Sequence, residues 1–163
     1  MSVCTEEETA WIRIEGRANF NSSVDFKAVV NGLVEKGFNR FVLDLTHCVL
    51  MDSTFLGVLA GLGMRFNNNH NGGRGPVIEL LNANARIADL LENLGVAHLF
   101  KVVSGPEVNS NRLEPLEHSS HDRKEVSRTC LEAHEMLMRI NPDNVAKFKD
   151  VAQFLAEDLK KQD

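Results

Sequence analysis

The sequence lacks the features that define several common classes of protein. It has only three cysteines, Cys4, Cys48 and Cys130, and no two of them form a Cys-x-x-Cys pair. An odd, widely spaced set predicts free thiols in a reducing compartment rather than a disulfide framework. No apolar run approaches the roughly 20 residues that a membrane-spanning helix needs. The polar, acidic residues 1–8 are unlike a secretory signal, so we expect a cytoplasmic protein.

An excess of positive charge is also missing. The chain carries 18 Lys and Arg against 23 Asp and Glu, for a formal net charge of −5. Nucleic-acid binders carry basic patches, and attachment to an anionic membrane surface depends on clustered Lys and Arg. We therefore expect neither a nucleic-acid partner nor a membrane partner. The negative charge is spread over both halves of the chain, so neither half is a charged tail.

The chain does contain enough apolar residues to form a hydrophobic core. A length of 163 residues with 43% hydrophobic and 25% charged residues indicates one domain, or one domain with an appendage. Short apolar runs alternate with helical periodicity, and this alternation predicts the α/β class with a mixed, partly parallel β-sheet. The predicted strands are 10–14, 16–20, 40–45, 77–81 and 99–103. The predicted helices are 22–36, capped by Ser22 or Ser23, 53–66, and a third from Asn82 or Asn84 to Leu94, while 67–76 is a loop.

The C-terminal part has a different pattern. Residues 104–120 are polar with two prolines and no apolar period, and beyond them two amphipathic stripes predict an α-helical hairpin. We expect a domain over 1–111, a linker over 112–120 and the hairpin over 121–163. The stripes must be buried, either against the open face of the sheet or against a second chain in a homodimer. They consist of Val126, Cys130, Ala133, Leu137 and Ile140, and of Val145, Phe148, Ala152, Leu155 and Leu159.

The most informative motif is Asp52-Ser53-Thr54, between the apolar strand that ends near Leu45 and the helix that follows. It places a serine hydroxyl at a helix N-terminus, beside a carboxylate. A phosphate on Ser53 would add about −1.5 to −2 charges. The helix dipole would favour it by about 0.3–1 kcal/mol, and Asp52 would offset part of that. The fold should therefore survive phosphorylation, while an interface packed over the site should not. The alternative is that these residues only cap the helix.

The run from Phe41 to Leu59 resembles the STAS family, typified by bacterial anti-sigma factor antagonists. The family pattern is an apolar strand ending in Asp-Leu, a short loop, and then Asp-Ser-Ser/Thr-Gly-Leu-Gly-x-Leu on a helix. The resemblance covers roughly residues 8–105 and implies a mixed β-sheet with helices packed mainly on one face. Phe55 stands where the family usually has glycine, so its ring would crowd or extend the surface around Ser53.

The resemblance also implies a function. The family serine that matches Ser53 is phosphorylated by a partner serine kinase that is also the anti-sigma factor, and a phosphatase reverses this. The unphosphorylated form binds that partner and frees the sigma factor. By this resemblance Ser53 is the phosphorylation site, and Asp52, Ser53, Thr54 and Phe55 form the partner-binding surface. The alternative is a STAS-like adaptor or scaffold subunit of a larger assembly, without phosphorylation.

Enzyme, metal and cofactor sites are not expected. His118, His121, Cys130 and His134 could be drawn as a zinc set, but Cys130 also belongs to an apolar stripe. The glycines at 57, 61 and 63 lie within a predicted helix and lack the Lys-Ser/Thr of a phosphate loop, so they indicate packing and no nucleotide. No Ser-His-Asp pairing can be recovered, since the sequence places no histidine beside Ser53, and His47 is only near in sequence. Asp44 is expected to accept loop hydrogen bonds.

Overall fold

A computed structural model describes residues 1–68 and 75–163. Over these residues the chain forms eight strands, five α-helices and three short 3₁₀ turns. The strands are β1 (Ser2–Glu6), β2 (Thr9–Arg13), β3 (Gly16–Ala18), β4 (Arg40–Asp44), β5 (Cys48–Met51), β6 (Val77–Leu81), β7 (Lys101–Val103) and β8 (Glu114–Pro115). The helices are α1 (Phe20–Glu35), α2 (Ser53–Asn68), α3 (Ala85–Asn93), α4 (Arg123–Ile140) and α5 (Val145–Gln162).

Six of the strands form one mixed sheet in the order β7-β6-β4-β2-β1-β8. Strands β2, β4, β6 and β7 run parallel, while β1 is antiparallel to both β2 and β8. Strands β3 and β5 form a separate parallel pair beyond the carboxyl ends of β2 and β4. The short β5 leads directly into α2, and the prediction of a mixed α/β sheet is confirmed.

The helices cover the face of the sheet that carries the aliphatic and aromatic core. Alternate residues of the central strands point into it, because successive side chains of a strand face opposite sides. Phe41 of β4 and Phe66 of α2 join the sheet to the helices, with ring centroids 5.7 Å apart, and Phe26 of α1 packs on Phe55 of α2 with centroids 4.9 Å apart. The strand residues in this cluster are Ala10, Ile12, Phe41, Leu43, Ile78 and Leu80.

Most predicted elements are confirmed, and the corrections have local causes. Helix α1 begins at Phe20 and is capped by Asn19, not by Ser22 or Ser23. The Asn19 side chain accepts hydrogen bonds from the amides of Asn21 and Ser22, and the Ser22 hydroxyl accepts one from the Asn19 amide. Ser22 therefore serves as the third residue of a capping box.

Three short strands were not predicted, and one predicted loop is only partly described. Strand β1 is largely polar, β5 has four residues and β8 has two, so none carries a clear period-2 pattern. Helix α3 begins after Asn84, whose side chain accepts a hydrogen bond from the Ile87 amide at 3.0 Å. Asn84 was one of the two predicted starts of this helix. Helix α2 continues to Asn68, and residues 69–74 of the predicted loop lie outside the described part of the chain.

The C-terminal helices lie on the helical layer rather than on the open face of the sheet. Helix α4 crosses α2 so closely that a Cβ atom added to Gly57 would lie 2.5 Å from the carbonyl oxygen of Ala133. Ala133 and Leu137 join the core cluster. The predicted linker contains β8, which pairs with β1. No helix within the described residues has the length and apolar character to cross a membrane.

Candidate functional site

Asp52 joins the N-termini of two helices. Its Oδ1 accepts a hydrogen bond from the Phe55 amide at 2.8 Å, which caps α2, and its Oδ2 accepts one from the Phe20 amide at 2.8 Å at the start of α1. The first amides of a helix have no partner within the helix, and the dipole is positive at that end. One carboxylate thus caps two helix starts at the edge of the β3–β5 pair; the sequence offered a cap of α2 as the alternative interpretation and gave no sign of the contact with α1.

Ser53, the first residue of α2, is partly exposed, and its hydroxyl is engaged by the C-terminal hairpin. Its Oγ lies 2.9 Å from Nε2 of His134 on α4. The other ring nitrogen, Nδ1, lies 2.7 Å from the carbonyl oxygen of Cys130. Because a carbonyl only accepts, Nδ1 carries the hydrogen, and in the neutral ring Nε2 accepts from the Ser53 hydroxyl.

The His134 ring is buried and contacts residues of α2, α4 and α5. It is 6% exposed, and its ring packs against Phe148 of α5 with centroids 5.0 Å apart. The sequence places no histidine beside Ser53, so the contact with His134 was not predicted. The spacing of Cys130 and His134 put them on one helix face, but nothing local to α4 indicates which helix it packs against. The hydrogen bond could pass the serine proton to histidine, as in nucleophilic catalysis.

Thr54 and Phe55 do not present their side chains to a partner in this conformation. Thr54 is buried, and its hydroxyl donates to the Cys130 sulfur at 3.6 Å. Phe55 is fully buried, and its ring packs on Phe26 in the core. The expectation that Phe55 crowds or extends the surface around Ser53 is therefore wrong, because its side chain points inward onto Phe26 of α1.

The histidines drawn as a zinc set fall into two separate clusters. His134 and Cys130 lie at Ser53, whereas His121 and His118 both contact Asp25 on α1, with N–O distances of 2.6 Å and 3.1 Å. His47 pairs with Glu107 at 2.5 Å. Within residues 1–68 and 75–163, no group of three or more His, Cys, Asp or Glu side chains could hold a metal ion.

The His121 contacts fasten the start of α4 to α1. Nε2 lies 2.6 Å from Asp25 Oδ1, and Nδ1 lies 3.3 Å from Glu125 Oε2. The hydrogen bond with Asp25 raises the pKa of His121 above its ordinary value, against the opposing effect of burial, and Glu125 adds to the increase. A charged imidazolium thus favours this contact between the hairpin and the rest of the protein.

A second polar cluster lies at the carboxyl ends of β2 and β4. Asp44 is fully buried and accepts hydrogen bonds from the Thr46 hydroxyl, the Thr46 and Val108 amides, and the Arg13 guanidinium, as expected for a loop acceptor. Burial acts to raise the pKa of Asp44, but these hydrogen bonds and the Arg13 charge outweigh it and lower the pKa. Arg13 also donates to the Val108 carbonyl and to Ser110, so the cluster fixes the chain beyond β7.

Comparison with known proteins identifies the fold. The family model described as the STAS domain matches residues 2–108, and the hairpin lies outside the match. The anti-sigma factor antagonist SpoIIAA in its unphosphorylated form is 17% identical, with a TM-score of 0.54 over 66% of this chain and 88% of that one. The phosphorylated form of this Bacillus cell fate determinant is 16% identical, with a TM-score of 0.52 over 66% and 91%.

A third solved structure, that of the protein TM1081, is 18% identical, with a TM-score of 0.54 over 63% of this chain and 78% of that one. At such identities the similarity concerns the fold. The family model, in contrast, matches well over half of the chain, including β1 to β7, α1 to α3 and the Asp52-Ser53 helix start. The chain therefore belongs to the STAS domain family.

Proposed function

We propose that this protein is a regulatory protein-binding module of the anti-sigma factor antagonist type, controlled by phosphorylation of Ser53. Its partners would be an anti-sigma factor that is also a serine kinase, and a phosphatase that resets the switch, all in the cytoplasm. We propose no enzymatic activity of its own, and neither nucleic acid nor membrane as a partner. The observation that carries the proposal is the position of Ser53, which opens α2 directly after the Asp52 cap.

Physical chemistry supports this position as a switch. Asp52 takes up the Phe55 amide, so the amides of the first two helical residues remain at the dipole's positive end, where a phosphate is favoured by about 0.3–1 kcal/mol. A partner surface packed on the exposed part of Ser53, beside the docked hairpin, would face a like-charged pair after phosphorylation, the phosphate and Asp52. Burying such charges without a counter-ion costs several kcal/mol. The phosphate should therefore change the affinity for the partner far more than it changes the stability of the fold.

The relatives support the same proposal. SpoIIAA is an anti-sigma factor antagonist whose structure is known both with and without phosphate. This chain shares its fold and carries Asp-Ser-Thr at the start of the helix that follows strands β4 and β5.

The test is affinity capture from a lysate of the source organism with the full chain as bait. Wild type and Ser53→Ala should retain the same partner, and Ser53→Asp should lose it. The matched control is Ser104→Asp, which adds the same charge at an exposed serine and should behave as wild type. Identical captures from all four baits would refute control through Ser53.

One observation favours the alternative of a constitutive adaptor. The Ser53 hydroxyl is already used in an intramolecular hydrogen bond with His134, so the residue can serve simply to fasten the hairpin. As an adaptor subunit the protein would bind its partners equally with alanine or aspartate at position 53.

A homodimer through the C-terminal helices fits either function, because Val151 and Phe154 of α5 are exposed. Sedimentation equilibrium of the full chain measures that dimer directly.

A further inference from the structure

We propose that the α4–α5 hairpin is a phosphorylation-controlled lid. It is docked on α2 while Ser53 is unmodified and is released when Ser53 carries a phosphate. The inference rests on the proposed function, because it requires Ser53 to be the modified residue. It assigns a role to the part of the chain beyond the STAS match.

The first support is the lack of space at the hydroxyl. Ser53 Oγ and His134 Nε2 are 2.9 Å apart, which is already a hydrogen-bond distance. A phosphoryl group replaces the hydroxyl hydrogen that Nε2 accepts, so in this side-chain orientation its phosphorus and three oxygens would point toward His134. The His134 ring has little freedom to turn away, because the Cys130 carbonyl holds Nδ1 and Phe148 packs against the ring.

The second support is the close approach of the α4 and α2 backbones near Ser53. One helical turn beyond Ser53, Gly57 lies directly under Ala133, the residue that precedes His134. A Cβ at Gly57 would lie 2.7 Å from the Ala133 Cβ, so the two backbones are at their limit of approach. Any movement of α4 that makes room for a phosphate at Ser53 therefore opens the Gly57–Ala133 contact too. Close-packed interfaces of this kind separate rather than stretch.

The third support is electrostatic. A phosphoserine would place close to two negative charges beside Asp52 and against the buried side of α4, near Thr54 and Cys130. On the α4 side the counter-charge would be His134, which as a cation would still have to remain buried at 6% exposure. Undocking instead places the phosphate in water at the helix N-terminus.

The hairpin supplies few of the buried residues of the main core cluster, so we expect the rest of the molecule to remain folded when the hairpin undocks. Of the buried residues in the main core cluster, only Ala133 and Leu137 come from the hairpin. The ion pair of Lys27 with Glu132 is exposed, and such pairs contribute little. The Asn144 side chain donates a hydrogen bond to the Leu94 carbonyl oxygen at 2.9 Å. This bond can keep the far end of α4 attached when the end near Ser53 undocks. The lid can therefore open without dismantling the sheet.

The experiment is hydrogen exchange of the full chain with phosphoserine installed at position 53 during translation. Exchange across α4 should become at least about tenfold faster than in the unmodified protein, while the amides of β2, β4 and β6 keep their protection. Ser53→Ala removes the hydrogen bond without adding volume or charge, so the exchange of α4 should accelerate less than it does with phosphoserine. Phosphoserine at the exposed position 104 is the matched control and should leave α4 unchanged.

Two results would overturn the proposal. Unchanged protection of α4 with phosphoserine at 53 would mean that His134 accommodates the phosphate and the hairpin stays docked. Loss of protection in the sheet as well would mean that the hairpin is an inseparable part of the core. The measurement needs neither kinase nor partner, so it is separate from the capture experiment. The proposed function fails if capture ignores Ser53, whatever the lid does.

Discussion

Replacing Gly57 by alanine should destabilise the docking of α4 on α2, and the same substitution at Gly61 should not. Both glycines lie on the face of α2 beneath α4, one turn apart. The new methyl group at position 57 would lie 2.5 Å from the Ala133 carbonyl oxygen and 2.7 Å from its Cβ. At position 61 the nearest atoms are the Cγ and Cε of Met136, both at 3.7 Å, which is ordinary van der Waals contact.

The magnitude follows from comparing the two substitutions. Each replaces glycine by alanine inside a helix, which by itself stabilises by roughly 0.5–1 kcal/mol. Only Gly57→Ala also forces the two helix backbones apart, and overpacking of this kind costs about 1–3 kcal/mol. The propensity gain is common to both variants and cancels in their difference. Gly57→Ala should therefore be less stable than Gly61→Ala by about 1–3 kcal/mol, or roughly 2–12 °C in Tm for a chain of this length.

Thermal and urea unfolding of the two variants beside the wild type measures that difference. Far-UV circular dichroism at low temperature confirms that both variants keep their helices before unfolding. Hydrogen exchange then locates the effect, which should appear in α4 and not in β4 or β6. If Gly57→Ala is as stable as Gly61→Ala, the close crossing of α2 and α4 is wrong, and α4 need not separate from α2 to admit a phosphate at Ser53.

Three further predictions concern the polar clusters and the boundary between the STAS domain and the hairpin. Asp44→Asn leaves the buried Arg13 without its main counter-charge and should cost about 3–5 kcal/mol in urea unfolding, whereas Glu107→Gln, at a half-exposed partner of Arg13, should cost at most about 1 kcal/mol. The pKa of His121 is raised in the folded state, so the protonated ring stabilises that state fully at pH values below the ordinary histidine pKa. The free energy of unfolding should therefore fall as the pH rises through the raised pKa. A His121→Gln variant with the same pH dependence of unfolding would contradict this. Truncation before position 119 should leave a folded, monomeric domain by size-exclusion chromatography with light scattering, and aggregation would place the hairpin in the core and refute the predicted boundary.

The position of Ser53 could be predicted from sequence because the signals there are local. An apolar strand, a capping aspartate and a helical apolar period follow one another within about 20 residues, and each has a direct physical cause. The same local reasoning chose the wrong cap for α1. Asn19 and Ser22 both have side chains able to accept from backbone amides, and only the conformation of the chain after β3 decides which one precedes the helix.

The contact that defines the candidate site could not be predicted because it is a tertiary contact across 81 residues. The apolar stripe of α4 includes Ala133 and Leu137, and it predicts a buried face but not its partner. The close crossing depends on Gly57, which sequence analysis could assign only to packing in general. Phe55 shows the same limit, because its inward direction depends on where α1 places Phe26.

The two outer edges of the main sheet bear on how copies of the chain could meet. An exposed strand edge is a template for adding a strand from another molecule. On one side β8 pairs with β1 and has only two residues, the second of which is Pro115, which has no amide hydrogen to donate. On the other side β7 is three residues long and carries Lys101, whose charge discourages close pairing. Edge-to-edge growth into larger aggregates is thereby disfavoured, which leaves the helical side as the better surface for self-association.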